Sequence, residues 1–129
     1  MSSNNNAIRI KRYLSSGGLI ILAGQSDFSN DHLTFRVAKQ NDLWFHVHGF
    51  PGSHVVLQCG DTEPDRKDIE EAAGVAVHYS KMRNASSAQV VYCHARDVHK
   101  ECGAKAGSVS ISHEKQIKAS AHLPPEDNG

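Results

Sequence analysis

Apolar and polar residues alternate along the chain in short runs separated by turn residues, a pattern of many strands and few helices. Residues 8–14 and 19–23 read as two strands joined through Ser15-Ser16-Gly17-Gly18 in a hairpin. Residues 26–39 open with cap-type side chains and place Leu33 and Val37 at i, i+4, which predicts a short helix. From 42 to 48 the chain alternates strictly: Leu43, Phe45 and Val47 point one way, Trp44, His46 and His48 the other. Gly49-Phe50-Pro51-Gly52 forms a turn, and residues 53–59 return as an antiparallel strand.

A longer helix is predicted to begin near Asp68, where Asp68 and Glu71 have capping-box spacing. Ile69, Ala72, Ala73, Ala76 and Tyr79 then share one face, and the small alanines suit close packing on a sheet. Lys81 and Arg83 fall at the negative end of its dipole, with Asn84 as a left-handed terminator. Residues 89–94, 97–100, 108–112 and 116–119 read as short strands. The expected fold is α+β: a mainly antiparallel sheet with one long and one short helix packed against it. One domain over 8–120 is expected, between a disordered N-terminus at 1–7 and a disordered tail at 121–129.

Composition narrows this only slightly. A chain of 129 residues can bury a core without a disulfide or metal. The formal net charge of +0 argues against a uniformly basic surface, so the distribution of charge matters more. Asp61, Glu63, Asp65, Asp68, Glu70 and Glu71 crowd one stretch, whereas Lys81, Arg83, Arg96, Lys100, Lys105, Lys115 and Lys118 dominate a later one. Cys59, Cys93 and Cys102 form no CxxC pair and suit reduced thiols in a cytoplasmic protein. No apolar run is long enough to cross a membrane, and none is expected to bind one.

The segment DLWFHVHGFPGSHVV at 42–56 closely resembles the signature of the NFACT-R domain, the RNA-binding module of large NFACT proteins. Collinear similarity continues through Glu71-Ala72-Ala73, Tyr79-Ser80-Lys81-Met82-Arg83 and Gly103-Ala104-Lys105-Ala106-Gly107, with Gly24 and Asn30-Asp31 upstream. Departures are Gln25 where the family usually has Arg, Ala106 where it has Pro, and Val91-Tyr92-Cys93 where it has Asp-Tyr-Thr. The absence of a basic side chain at Gln25 puts one candidate phosphate contact in doubt. The resemblance implies a free-standing R module that binds tRNA, rRNA or the ribosome, in the setting of ribosome-associated quality control. The resemblance leaves open whether such a module works with a separate NFACT-type protein or on its own. The other parts of a large NFACT protein have no room in 129 residues, so tail-adding activity is not carried over.

With the resemblance, the expected RNA contacts are Lys81, Arg83, Asn84 and Lys105, His46 and His54, Trp44 and Asn30. Lys81, Arg83 and the glycine-flanked Lys105 reach phosphate oxygens; Trp44 and the histidines stack on bases or donate to phosphates. Each has a structural alternative: dipole compensation for Lys81 and Arg83, a core position for Trp44, internal hydrogen bonds for the histidines. Asn30 and Asp31 either cap the short helix or accept hydrogen bonds from a neighbouring loop. Nothing in the spacing makes His46, His48 and His54 converge with Asp42 or Cys59 on a metal, so no metal or cofactor is expected. PGSH at 51–54 lacks the strained elbow of a serine hydrolase, and no catalytic residue is assigned. Two rival readings stay open: a histidine- or metal-dependent enzyme acting on RNA, and a protein-docking module built on Trp44 and Phe50.

Overall fold

The computed structural model describes residues 7–128, so the N-terminal segment expected to be disordered lies, but for Ala7, outside the described residues. The first two apolar runs form the predicted hairpin: β1 (Ile10–Leu14) pairs antiparallel with β2 (Ile20–Gly24), Leu14 opposite Ile20. Ser26 caps α1 (Asp27–His32), its Oγ accepting the Ser29 N–H at 3.0 Å. The helix widens into a π-helical turn, Leu33–Val37, closed by Ala38 N–H on the Leu33 carbonyl at 2.9 Å. That widening lets both Leu33 and Thr34 face inward.

Then follow β3 (Leu43–Val47), β4 (Val55–Gln58), α2 (Arg66–His78), β5 (Ala88–His94), β6 (Val98–His99), β7 (Ser110–Ile111) and β8 (Lys115–Ala119). Six strands make one antiparallel sheet in the order β1-β2-β4-β3-β5-β8, and β6 and β7 form a separate ribbon. The α+β architecture is the one expected.

Both faces of this sheet are covered. Phe45, Val47, Ile21, Val55 and Leu57 lie on one face beneath Ala72, Ala73 and Ala76 of α2, whose small side chains allow close approach. Trp44, Leu22, Val56 and Val91 lie on the other, beneath Leu33, beneath Val98 and Ile111 of the ribbon, and beneath Val109 just before β7. The alternation along β3 is as expected, but its second face is a core as well. Trp44 is 2% exposed, so of its two readings the structure selects the core residue over the stacking platform.

The ends of α2 differ from the sequence expectation. The helix starts at Arg66, after the N-cap Asp65, whose N–H donates to the Asp68 carboxylate at 2.9 Å. Asp68 also accepts Ser15 Oγ–H at 2.8 Å and Gly17 N–H at 2.9 Å, while Glu71 takes the Ser16 N–H and hydroxyl. The two acids therefore clamp the β1–β2 turn onto the helix. These bonds hold Asp68 below the usual carboxylate range, against the opposing effect of burial. The C-terminus comes at His78 with Tyr79 as cap. Asn84 lies in a turn beyond it and is not left-handed; among the described non-glycine residues only His113 has positive φ.

The tail expected to be disordered also runs otherwise. His122 N–H bonds the Gly74 carbonyl at 3.1 Å as the chain crosses α2, and Leu14 N–H donates to the Pro125 carbonyl at 2.9 Å. Asp127 N–H then donates to the Arg12 carbonyl at 3.0 Å, and its carboxylate pairs with the Arg12 guanidinium at 2.9 Å. The segment thus travels from the β8 edge of the sheet across α2 to cover the open edge of β1.

Candidate nucleic-acid interface

A chain of neutral hydrogen bonds runs through the covered face of the sheet. Trp44 Nε1–H donates to Thr34 Oγ1 at 3.1 Å, and Thr34 Oγ1 lies 2.8 Å from His54 Nδ1. His54 Nε2 lies 3.0 Å from the Gly107 carbonyl. A carbonyl only accepts, so Nε2 carries the proton and Nδ1 receives the threonine hydroxyl. Burial in this setting, with His46 alongside, lowers the His54 pKa to about 4. Burial likewise lowers His46 and His78. These three histidines therefore resist the mildly acidic titration that an exposed imidazole undergoes.

Asn30 reaches His54 from α1: its Oδ1 accepts the His54 backbone N–H at 3.1 Å. Gly24 makes this approach feasible, since a Cβ there would lie 2.2 Å from Asn30 Oδ1. Asn30, Trp44 and His54 are thus buried, and they act inside the domain rather than at its surface. His46 is half-buried and stacks on Trp44 with the rings 9° from parallel. Together with His48 it borders a cavity of about 280 Å³ closed on one side by Gly107 and Ser108.

The loop from 100 to 108 is held by Lys100 and Asp31. Lys100 Nζ donates to the carbonyls of Lys105 and Ser108 and pairs with Asp31 at 3.0 Å. Asp31 also accepts the Gly107 N–H at 2.9 Å, the loop contact anticipated for it. Gly107 has φ +83, a backbone conformation that side-chain-bearing residues rarely adopt. Lys100 is therefore structural, whereas Lys105 lies exposed on the loop it holds.

Lys81 and Arg83 come to the surface by a different route. Ser53 N–H donates to the Tyr79 carbonyl at 3.0 Å and Lys81 N–H to the Pro51 carbonyl at 3.1 Å, so the segment after α2 is laced to the Pro51-Gly52-Ser53 turn. The resulting open groove, of about 470 Å³, is bordered by Gln25, His78, Lys81 and Arg83. Both cations are exposed, and neither has a carboxylate partner among the described residues. Gln25 lines the same groove, so the family's arginine at this position would add a third cation there. Asn84 is exposed just past the groove and does not line it.

The structure brings Lys81 and Arg83 together at this groove. Thr34 and Lys100 were not singled out from the sequence, because Thr34 meets Trp44 and His54, and Lys100 meets Asp31, only through the fold. Among the described residues, no group of three histidines, cysteines or carboxylates could hold a metal ion.

The sequence model of the NFACT protein RNA binding domain matches residues 9–113. The chain belongs to this family. It is an RNA-binding module related to part of the Rqc2 homolog RqcH of Bacillus subtilis (strain 168), 41% identical over 108 residues, covering 84% of this chain and 19% of the relative. The RqcH of Streptococcus suis (strain 05ZYH33) is 38% identical over 118 residues, 91% of this chain and 21% of the relative. The chain therefore spans about a fifth of the length of these curated relatives. The solved C-terminal part of the fibronectin/fibrinogen-binding protein from Streptococcus suis superposes with TM-score 0.86 at 34% identity, over 94% of this chain and 49% of that one.

Proposed function

We propose that this NFACT RNA-binding module acts without catalysis of its own on structured RNA of the translation apparatus, tRNA or rRNA on the ribosome, gripping phosphates through the Lys81–Arg83 groove. The observation that carries the reading is the pair of unneutralised cations fixed beside the Pro51-Gly52-Ser53 turn by backbone hydrogen bonds. Cations without carboxylate partners lose little on meeting phosphate, and a rigid backbone beneath them fixes their spacing. Lys105, exposed on its anchored loop, is a further phosphate contact. His54, Trp44 and Asn30 support this surface from below by holding the loop and α1 in place. Relatives about five times longer carry this module, which favours work alongside an NFACT-type protein in the cytoplasm on obstructed ribosomes. No helix among the described residues is long and apolar enough to cross a membrane.

Fluorescence anisotropy with labelled tRNA, an rRNA stem-loop and duplex DNA tests this. The expected result is RNA binding that weakens steeply with salt and is lost in a Lys81→Ala/Arg83→Ala/Lys105→Ala variant. A folded protein that binds none of these RNAs at low salt overturns it.

A further inference from the structure

The helical segment from 27 to 37 has one face too many. Ser29, Asn30, Leu33 and Thr34 turn into the core. The opposite face should be polar in a surface helix, yet it presents Phe28 and Phe35, each 38% exposed. Their spacing of i, i+7, with His32 between them at i+4, puts all three on one stripe. A cleft of about 450 Å³ is lined by Phe28, Asp31, His32, Phe35, Arg36 and Lys100.

Its charge identifies the occupant. The carboxylate in the cleft, Asp31, is neutralised by Lys100 at 3.0 Å and also accepts the Gly107 N–H at 2.9 Å. Arg36 is exposed and has no carboxylate or hydrogen-bond partner among the described residues, so the cleft carries a net positive charge. Aromatic faces beside an uncompensated guanidinium match an unpaired nucleotide, whose base stacks while its phosphate meets the cation. An apolar peptide would leave Arg36 unanswered.

We propose that the Phe28–Phe35 cleft is a stacking site for an unpaired base of the bound RNA. It gives the module a preference for loops over uniform duplex. The proposal rests on the RNA-binding reading above and adds a specificity that the phosphate groove cannot supply, because phosphates are alike in paired and unpaired strands.

The test uses the intact chain and two RNAs of equal length: a stem-loop with 2-aminopurine at an unpaired position, and the fully paired duplex. Wild type should bind the stem-loop more tightly and quench the 2-aminopurine. Phe28→Ala/Phe35→Ala should weaken stem-loop binding by about fivefold to a hundredfold, abolish quenching and leave duplex binding unchanged. Phe28→Leu/Phe35→Leu keeps the apolar area without the rings and should also lose quenching. The site is overturned if the alanine variant keeps the loop preference, or if the leucine variant binds the loop as wild type does, which would mark an apolar protein-docking surface. Either result leaves duplex binding through Lys81 and Arg83 intact. Wild type that binds neither RNA overturns the RNA reading and this site together.

Discussion

His54 Nε2–H donates to the Gly107 carbonyl at 3.0 Å, which ties the long loop after β6 to an imidazole in the middle of the sheet. The same ring is bonded through Thr34 to Trp44, and the backbone N–H of His54 donates to Asn30 Oδ1. One buried side chain thus joins β3, β4, the α1 segment and the loop that carries Lys105.

Replacing His54 with Ala removes the tether, opens a cavity and leaves Thr34 and the Gly107 carbonyl without their partner. The expected cost is about 2–4 kcal/mol, read as a lower urea midpoint with unchanged m. Backbone amides of residues 104–108 should exchange faster in proportion. A variant with wild-type stability would remove His54 from this role.

Acid should destabilise the domain through the same residue. With the folded-state pKa of His54 lowered to about 4, the unfolded chain binds the extra proton first. Its contribution is complete above an unfolded histidine's pKa of about 6.5 and is lost as pH falls from there through about 4. His46 and His78 shift the same way and reinforce the trend. Thermal melts should therefore show Tm falling as the pH drops through this window. Imidazole NMR should find His54 neutral and Nε2-protonated at pH 6; a protonated ring there would contradict the assignment.

Gly24→Ala should be strongly destabilising, because the added methyl would sit 2.2 Å from Asn30 Oδ1. Removing the obstruction with Asn30→Ala leaves the buried His54 N–H unpaired, at about 1–3 kcal/mol. The double variant should be less destabilised than the sum of the singles, since both act on one contact. Additive losses in urea unfolding would show that the two residues are not coupled.

Deleting residues 122–129 should uncover the edge of β1, removing the Leu14–Pro125 and Asp127–Arg12 backbone bonds and the Arg12–Asp127 ion pair. A loss of about 1–3 kcal/mol is expected, with a new tendency to self-associate that light scattering would detect. Unchanged stability and a monodisperse sample would mean that the tail contributes nothing.

Much of the fold was legible because its signals are local. Alternation divided Leu43, Phe45 and Val47 from Trp44, and Ser26 marked a helix start. Whether the Trp44 face met water or protein was not local: it depends on Val98 and Ile111 of the ribbon and on Val109 just before β7, all far along the chain. The acids of α2 were read as a cap, but Asp68 and Glu71 mostly serve the β1–β2 turn, a tertiary contact. The tail's prolines and acids suggested disorder, yet two of its hydrogen bonds to β1 are made by the backbone, which composition does not reveal. For the proposed site, the resemblance pointed to Lys81 and Arg83, which the structure places together on one groove. Phe28 and Phe35 were not singled out, because in sequence they look like ordinary helix-core positions.

The central claim is that Lys81 and Arg83 hold RNA phosphates, and the salt dependence of binding tests it most directly. Observed affinity for the rRNA stem-loop would be measured against salt concentration for wild type and for Lys81→Ala/Arg83→Ala. Loss of two phosphate contacts should make the slope of log Kobs on log salt shallower by about 2, with weaker binding at low salt. An unchanged slope in a folded double variant would contradict the account and place the phosphate contacts elsewhere on the domain.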